Sequence, residues 1–136
     1  MPAASLELSP RVQRHLENDV VVWLTTVGAG PKPRAVPVWF WWNGESFLIY
    51  SIPGQKVKDI EANPNVELHL NTDRSGDFVA RFDGVAEILP GHPPATRVPK
   101  YINKYRERVK GYGWTTKVFA EKYHIAIRVK PKKIRS

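Results

Sequence analysis

Two lysines, Lys56 and Lys58, stand just after Ser51-Ile52-Pro53-Gly54-Gln55, where a strand-like run delivers the chain into the first turn of a helix. Free backbone N–H groups at a helix start, the positive end of its dipole and an ammonium group together suit a phosphate. The same spacing also describes a solvated basic face, and the two lysines point to different sides, so both need not bind. A second feature is Pro37 within RAVPVWFWW, residues 34–42. Proline cannot donate to a strand ladder, so it belongs on an edge or at a bulge, where neighbouring backbone groups are left free for a flat heteroaromatic ligand. Around it Ala35, Pro37, Trp39 and Trp41 alternate with Val36, Val38, Phe40 and Trp42, so both faces carry aromatic side chains. One face as core and the other as a subunit interface explains the same pattern.

The common catalytic constellations are absent from the sequence. His15, His69, His92 and His124 are scattered singly, there is no cysteine, and no HExxH or comparable spacing occurs, so no metal site is assigned. Gly28-Ala29-Gly30 is not followed by a helical pattern and reads as a hairpin loop rather than a nucleotide fingerprint. Ser5, Ser9, Ser46, Ser51 and Ser75 have no Gly-x-Ser-x-Gly setting and no recognisable base. No catalytic side chain is assigned; if the protein is an enzyme, a bound cofactor carries the chemistry.

The elements that must position these residues are mostly strands. Ser9-Pro10 opens a short amphipathic helix with Val12 and Leu16 on one face. Val20 to Val27, Arg34 to Trp42 and Ser46 to Ile52 form a meander, the last turn marked by Asn43-Gly44. Helical spacing of Val57 and Ile60 ends at Asn63-Pro64. Val66, Leu68 and Leu70 alternate with polar residues, and Asp77 to Leu89 predicts a long strand bent at Asp83-Gly84. Gly91 to Pro99 is a loop, Val98 to Val109 a basic helix, and Thr115 to Lys122 a shorter one. Tyr123 to Val129 closes the pattern as a strand, with Lys130 to Ser136 as a basic tail. The expectation is one mainly β domain over residues 1–136, a small antiparallel barrel with peripheral helices.

At 136 residues and 15.5 kDa, with 42% hydrophobic and 25% charged residues, the chain has room for a limited core that dimerisation would enlarge. No apolar run is long enough for a membrane helix and the first residues lack a secretory pattern, so a cytoplasmic protein without membrane partners is expected. The net charge of +8 is unevenly placed: Lys plus Arg against Asp plus Glu is 8 against 11 over residues 1–96 and 13 against 2 over residues 97–136. That basic end, interleaved with Tyr101, Tyr105, Tyr112, Trp114 and Tyr123, admits a nucleic-acid-binding reading, the less favoured one because helical positions pack several of these rings inward.

The run WLTTVGAGPKPRAVPVWFWWNGESFLIYSIPGQKVKDIEANPNVELHL, Trp23 to Leu70, with GVAEIL and the late KYINKYRERVKGYGWTTKVFAEKYHIAIRVKPKKI, resembles the flavin-binding split β-barrel superfamily related to pyridoxamine 5′-phosphate oxidase. More narrowly it is similar to the branch of small reductases that use coenzyme F420. The resemblance implies a six-stranded antiparallel split β-barrel (FMN-binding split barrel) and a homodimer with each cofactor in a groove between subunits. Lys56, with Lys58 near it, would meet the cofactor phosphate; Ser51 and Gln55 would line the same place. Arg34, Val36, Pro37 and Val38 would run along the ring, and the partner would add residues near Asp77 and Phe78. The implied activity is hydride transfer between reduced F420 and a small organic acceptor, with FMN as the alternative cofactor and a non-catalytic flavin carrier as the alternative role. Lys100, Lys104, Arg106 and Arg108 are candidates to accompany the polyglutamate tail of F420.

Overall fold

A computed structural model describes residues 7–135; Ser5 and the final residue of the expected basic tail, Ser136, lie outside the described residues. The first helix, α1 (Pro10–Asn18), begins as expected: the Ser9 side chain accepts a hydrogen bond from Val12 N at 3.2 Å, and Val12 and Leu16 are buried. The strands are β1 (Val21–Thr26), β2 (Arg34–Trp39), β3 (Trp41–Trp42), β4 (Phe47–Ser51), β5 (Asn65–His69), β6 (Arg81–Ile88) and β7 (Ile125–Arg135). The other helices are α2 (Gln55–Ala62), α3 (Pro99–Gly111) and α4 (Thr116–Lys122).

All pairings are antiparallel, in the order β2-β1-β5-β6-β7-β4-β3. The two ends of that order, β2 and β3, are joined in sequence through Phe40 alone, so one bent strand closes the sheet on itself. Counted once, the bent strand leaves six, and the architecture is the mainly β split barrel with peripheral helices that the resemblance implied. The bend has a physical cause. Tyr105 on α3 receives the Phe40 N–H at 2.8 Å on its hydroxyl oxygen and aims its own O–H at Val20 O, 2.6 Å away. Lys104 Nζ donates to Phe40 O at 2.8 Å. The backbone groups freed from the ladder at Phe40 are thereby satisfied by one helix.

Three boundaries differ from the sequence expectation. The segment 77–80 precedes β6 rather than belonging to it, because Asp73 Oδ1 accepts from Asp77 N and Thr72 Oγ1 donates to Phe78 O, folding the chain locally. The basic tail is instead the second half of β7, paired through Arg135 with Arg81. The loop after β6 contains a single 3₁₀ turn, Ala95–Arg97. The bend at Asp83-Gly84 is present as a shift of register against β7; a Cβ at Gly84 would lie 2.9 Å from Lys130 O, which explains the glycine.

Alternation along the bent strand sorts its side chains into two cores. Val38 and Phe40 point into the barrel with Leu24, Phe47, Leu68 and Phe82, and Val12 and Leu16 of α1 join this core. Trp39 and Trp41 point outward against the second core, built from Leu48 and Tyr50 of β4 with Tyr101, Tyr105 and Phe119 of the late helices. Both faces of β4 are consequently covered, and all five of its residues are buried.

This second core is rich in tyrosine, and that sets an alkaline limit. Burial pushes the Tyr50 phenol up to about 12 and raises those of Tyr101 and Tyr105 above the usual value. In an unfolded chain tyrosine ionises near pH ~10. Below that pH both states hold the proton and nothing is lost; above it only the unfolded chain releases protons, so stability falls as pH rises toward the folded values. In an alkaline titration, part of the tyrosinate absorbance should therefore appear in one cooperative step above pH ~10, coincident with loss of the near-ultraviolet dichroism. Gradual ionisation with the dichroism intact would contradict the burial of these hydroxyls.

Candidate functional site

The described residues enclose a cavity of about 270 Å³ between the outer face of β2 and the late helices. Pro37, Val38 and Trp39 of β2, Tyr50 of β4 and Lys56 of α2 form one side. Tyr101 of α3 and Phe119 of α4 face them, and Tyr112, Trp114 and Tyr123, which flank α4 and the preceding turn, complete the wall. Stacking holds this wall together: Trp39 lies 4.4 Å from the Tyr105 ring and 5.5 Å from Phe119, and Phe119 lies 4.9 Å from Tyr123. Lys56 is the one charged residue in the lining.

Lys56 is held at the first turn of α2. Its Nζ donates to Ser51 Oγ at 3.0 Å, while the Ser51 hydroxyl donates onward to Ile52 O at 2.7 Å. Partial burial lowers its pKa from the ordinary lysine value, and no carboxylate lies within salt-bridge distance of it among the described residues. Gly54 caps the helix without a side chain, so no side-chain oxygen competes for the first amides. A half-buried cation in an apolar setting with only a hydroxyl beside it favours an incoming anion.

Asp59, one turn further along α2, fixes how that helix meets the sheet. Its carboxylate, 4% exposed, accepts from Thr26 Oγ1 at 2.7 Å, Gln55 Nε2 at 2.8 Å and Arg34 Nη1 at 2.9 Å. The hydrogen bonds of Gln55, Thr26 and Arg34 hold its pKa below the usual carboxylate range. Gly28 makes room for it: at φ +62° a Cβ would sit 2.5 Å from Asp59 Oδ1. Arg34 uses one guanidinium nitrogen in this contact and stays half-exposed.

Of the residues singled out from sequence, Pro37, Val38 and Lys56 line the cavity, with Ser51 directly behind Lys56. Arg34 and Gln55 meet at Asp59 beside it. Val36 is exposed on the edge strand β2, and Lys58 faces solvent. Asp77 and Phe78 are elsewhere, next to α1: the Phe78 ring stacks on His15 at 4.3 Å, and Asp77 accepts from Ser75 Oγ. None of Lys100, Lys104, Arg106 and Arg108 lines the cavity; Lys104 serves the Phe40 bend and Arg106 bonds Asn103. Sequence reasoning did not place Trp39, Tyr50, Tyr101, Tyr112, Trp114, Phe119 and Tyr123 at the site. For the last five of these the signal was the run of aromatics among the late basic residues, where the rings rather than the charges carry the pattern. Among the described residues no cluster of His, Asp and Glu could hold a metal ion, and no helix is long and apolar enough to cross a membrane.

A family model described as pyridoxamine 5′-phosphate oxidase matches residues 8–136. A comparison with curated proteins finds no match. Among solved structures, an F420 reductase is similar at 22% identity with a TM-score of 0.71, the match covering 94% of this chain and 98% of that one. A FAD-binding protein from Mesorhizobium loti is similar at 16% identity with a TM-score of 0.68, covering 93% of this chain and 90% of that one. The heme storage protein HutZ from Vibrio cholerae is similar at 16% identity with a TM-score of 0.66, covering 96% and 94%.

Proposed function

The chain belongs to the pyridoxamine 5′-phosphate oxidase family, and from that premise we propose that its aromatic cavity holds a phosphate-bearing flavin-type cofactor, F420 in preference to FMN, in a homodimeric oxidoreductase. The observation that carries the reading is Lys56, a partly buried ammonium group without a carboxylate partner among the described residues, set into an otherwise uncharged, largely aromatic lining. That donor set fits a ring with a phosphate attached. Lys56 and the Ser51 hydroxyl would hold the phosphate, with the unused edge of the Arg34 guanidinium as a second cation. Pro37 and Val38 would lie along the ring, where the missing proline N–H leaves the strand edge open.

When bound, the deazaflavin would supply a hydride to a small organic acceptor. The protein's own contribution is orientation and, once a ring is seated, exclusion of water: the rings of Trp39, Trp114 and Phe119 wall the cavity beside Lys56. No side chain is assigned as acid or base. The homodimer is supported by β2, whose residues Arg34 to Pro37 are exposed although they belong to a strand, and by exposed Val36 and Val79; Asp77 and Phe78 would approach the partner's site. The preference for F420 is supported by the structural likeness to an F420 reductase, and not by the basic residues of α3, which lie away from the cavity.

Titrating the purified protein with F420 and with FMN tests the cofactor; tight FMN binding without F420 binding would reverse the preference. Lys56→Ala should weaken whichever cofactor binds by about 1–3 kcal/mol through loss of a charge-assisted phosphate contact. Unchanged affinity would remove Lys56 from the site. Oxidation of reduced F420 by added acceptors then separates a reductase from a carrier, a distinction to which the heme storage relative of the same fold gives point.

A further inference from the structure

Three tyrosines, Tyr50, Tyr101 and Tyr105, pack against one another in the second core, with ring centroids 4.9 Å and 5.1 Å from that of Tyr101. Two of their hydroxyls have clear tasks. Tyr50 donates to Pro93 O at 2.7 Å, tying down the loop after β6, and Tyr105 secures the Phe40 bend. The third is different: Tyr101 is fully buried, and while the Tyr50 backbone N–H lies near its oxygen, its own O–H has no acceptor among the described residues. Tyr101 is also a wall of the aromatic cavity, opposite Pro37 and Val38.

A buried O–H without an acceptor costs the fold stability, and phenylalanine would fill the same space without that cost. The residue that carries this O–H lines a cavity that can admit a ligand, so the missing acceptor has a place to come from. We infer that Tyr101 donates a hydrogen bond to a carbonyl-type oxygen of a flat ring seated in this cavity. The polarity follows from the surroundings. Tyr50, Tyr105 and Phe119 pack around Tyr101, a charged oxygen would be poorly solvated there, and Lys56 offers the one ammonium group of the lining for an anion instead. Burial raises the phenol pKa, which keeps the proton on the oxygen and the group a donor. The inference rests on the ring-binding part of the function proposed above. The oxygen belongs either to the cofactor ring or to an acceptor stacked beside it.

The test compares the full-length wild type with Tyr101→Phe. Without ligand, the variant should melt no lower than the wild type, because an unpaired group has been removed. Its affinity for rings bearing carbonyls, F420, FMN and menadione being the probes, should fall about tenfold, while affinity for naphthalene, a flat ring of menadione's shape without oxygens, should not change. Loss on F420 or FMN alone assigns the oxygen to the cofactor; loss only on menadione added to the cofactor-loaded protein assigns it to the acceptor. If the wild type binds neither F420 nor FMN, the proposed function fails, and the menadione and naphthalene pair on the unloaded protein still decides the role of Tyr101. Unchanged affinity for every carbonyl ring overturns the inference, as does a wild type that binds none of them. A variant that melts several degrees lower and loses naphthalene as well overturns it too, because the hydroxyl would then be structural.

Discussion

Tyr105→Phe should lower the free energy of unfolding by about 2–4 kcal/mol, although it removes a single oxygen atom. That oxygen accepts the N–H of Phe40, a residue with no exposed surface, and donates to Val20 O. Neither group has a strand partner at the bend. Phenylalanine leaves both without a partner, at on the order of 1–3 kcal/mol for the buried Phe40 N–H and less for the Val20 carbonyl, which is only partly buried. Phe40 O keeps Lys104 as a donor, so it adds little to the loss. The ring of residue 105 still stacks on Trp39 at 4.4 Å, which separates this effect from a packing defect. Denaturant unfolding of the two proteins measures it directly, and a difference below about 0.5 kcal/mol would mean that water replaces the hydroxyl at the bend.

Asp59→Ala should cost a similar amount, about 2–4 kcal/mol, for a different reason. The carboxylate is the common acceptor for Thr26, Gln55 and Arg34, drawn from β1, α2 and β2. Thr26 is 3% exposed and would keep a buried hydroxyl without its acceptor. Half-exposed Arg34 can return to solvent, which keeps the cost below that of stranding a fully buried charge. Since the folded pKa of Asp59 is depressed, its contribution is whole above the ordinary carboxylate pKa near ~4 and is lost as pH falls through the lower folded value. The wild type should consequently lose more stability than Asp59→Ala between pH ~5 and pH ~2. Parallel acid profiles would show that this carboxylate is not held as the structure has it.

Legibility from sequence followed how local the cause was. The Ser9 cap, the helix ended by Asn63-Pro64 and the alternation of Val66, Leu68 and Leu70 depend on neighbours a few residues away, and each is present in the structure. Pro37 and Lys56 were readable because a missing N–H and a helix start carry their meaning wherever they occur. What lay out of reach was set by distant contacts. Arg34 to Trp42 reads as one strand, and Tyr105 and Lys104, reaching across from α3, hold its turn at Phe40. The late aromatics look like companions of the basic residues until the helices dock, whereupon the rings face the cavity and the charges face solvent. Lys104, which resembles a cofactor-tail contact, is recruited by a backbone carbonyl instead.

The place of β7 bears on how the chain reaches this structure. Two pairings, β1 with β2 and β3 with β4, are hairpins that can form early at small entropic cost, and they share the bent strand. β7 joins the partners that remain apart, pairing Phe47 with Val129 on one side and Arg81 with Arg135 on the other. Before it arrives, β4 and β6 present unpaired edges and the interior is open along its length. Barrel formation is thus the insertion of one distant strand between two waiting ones, a high-contact-order step that makes for slow folding, with an edge-bearing intermediate prone to associate with its own kind.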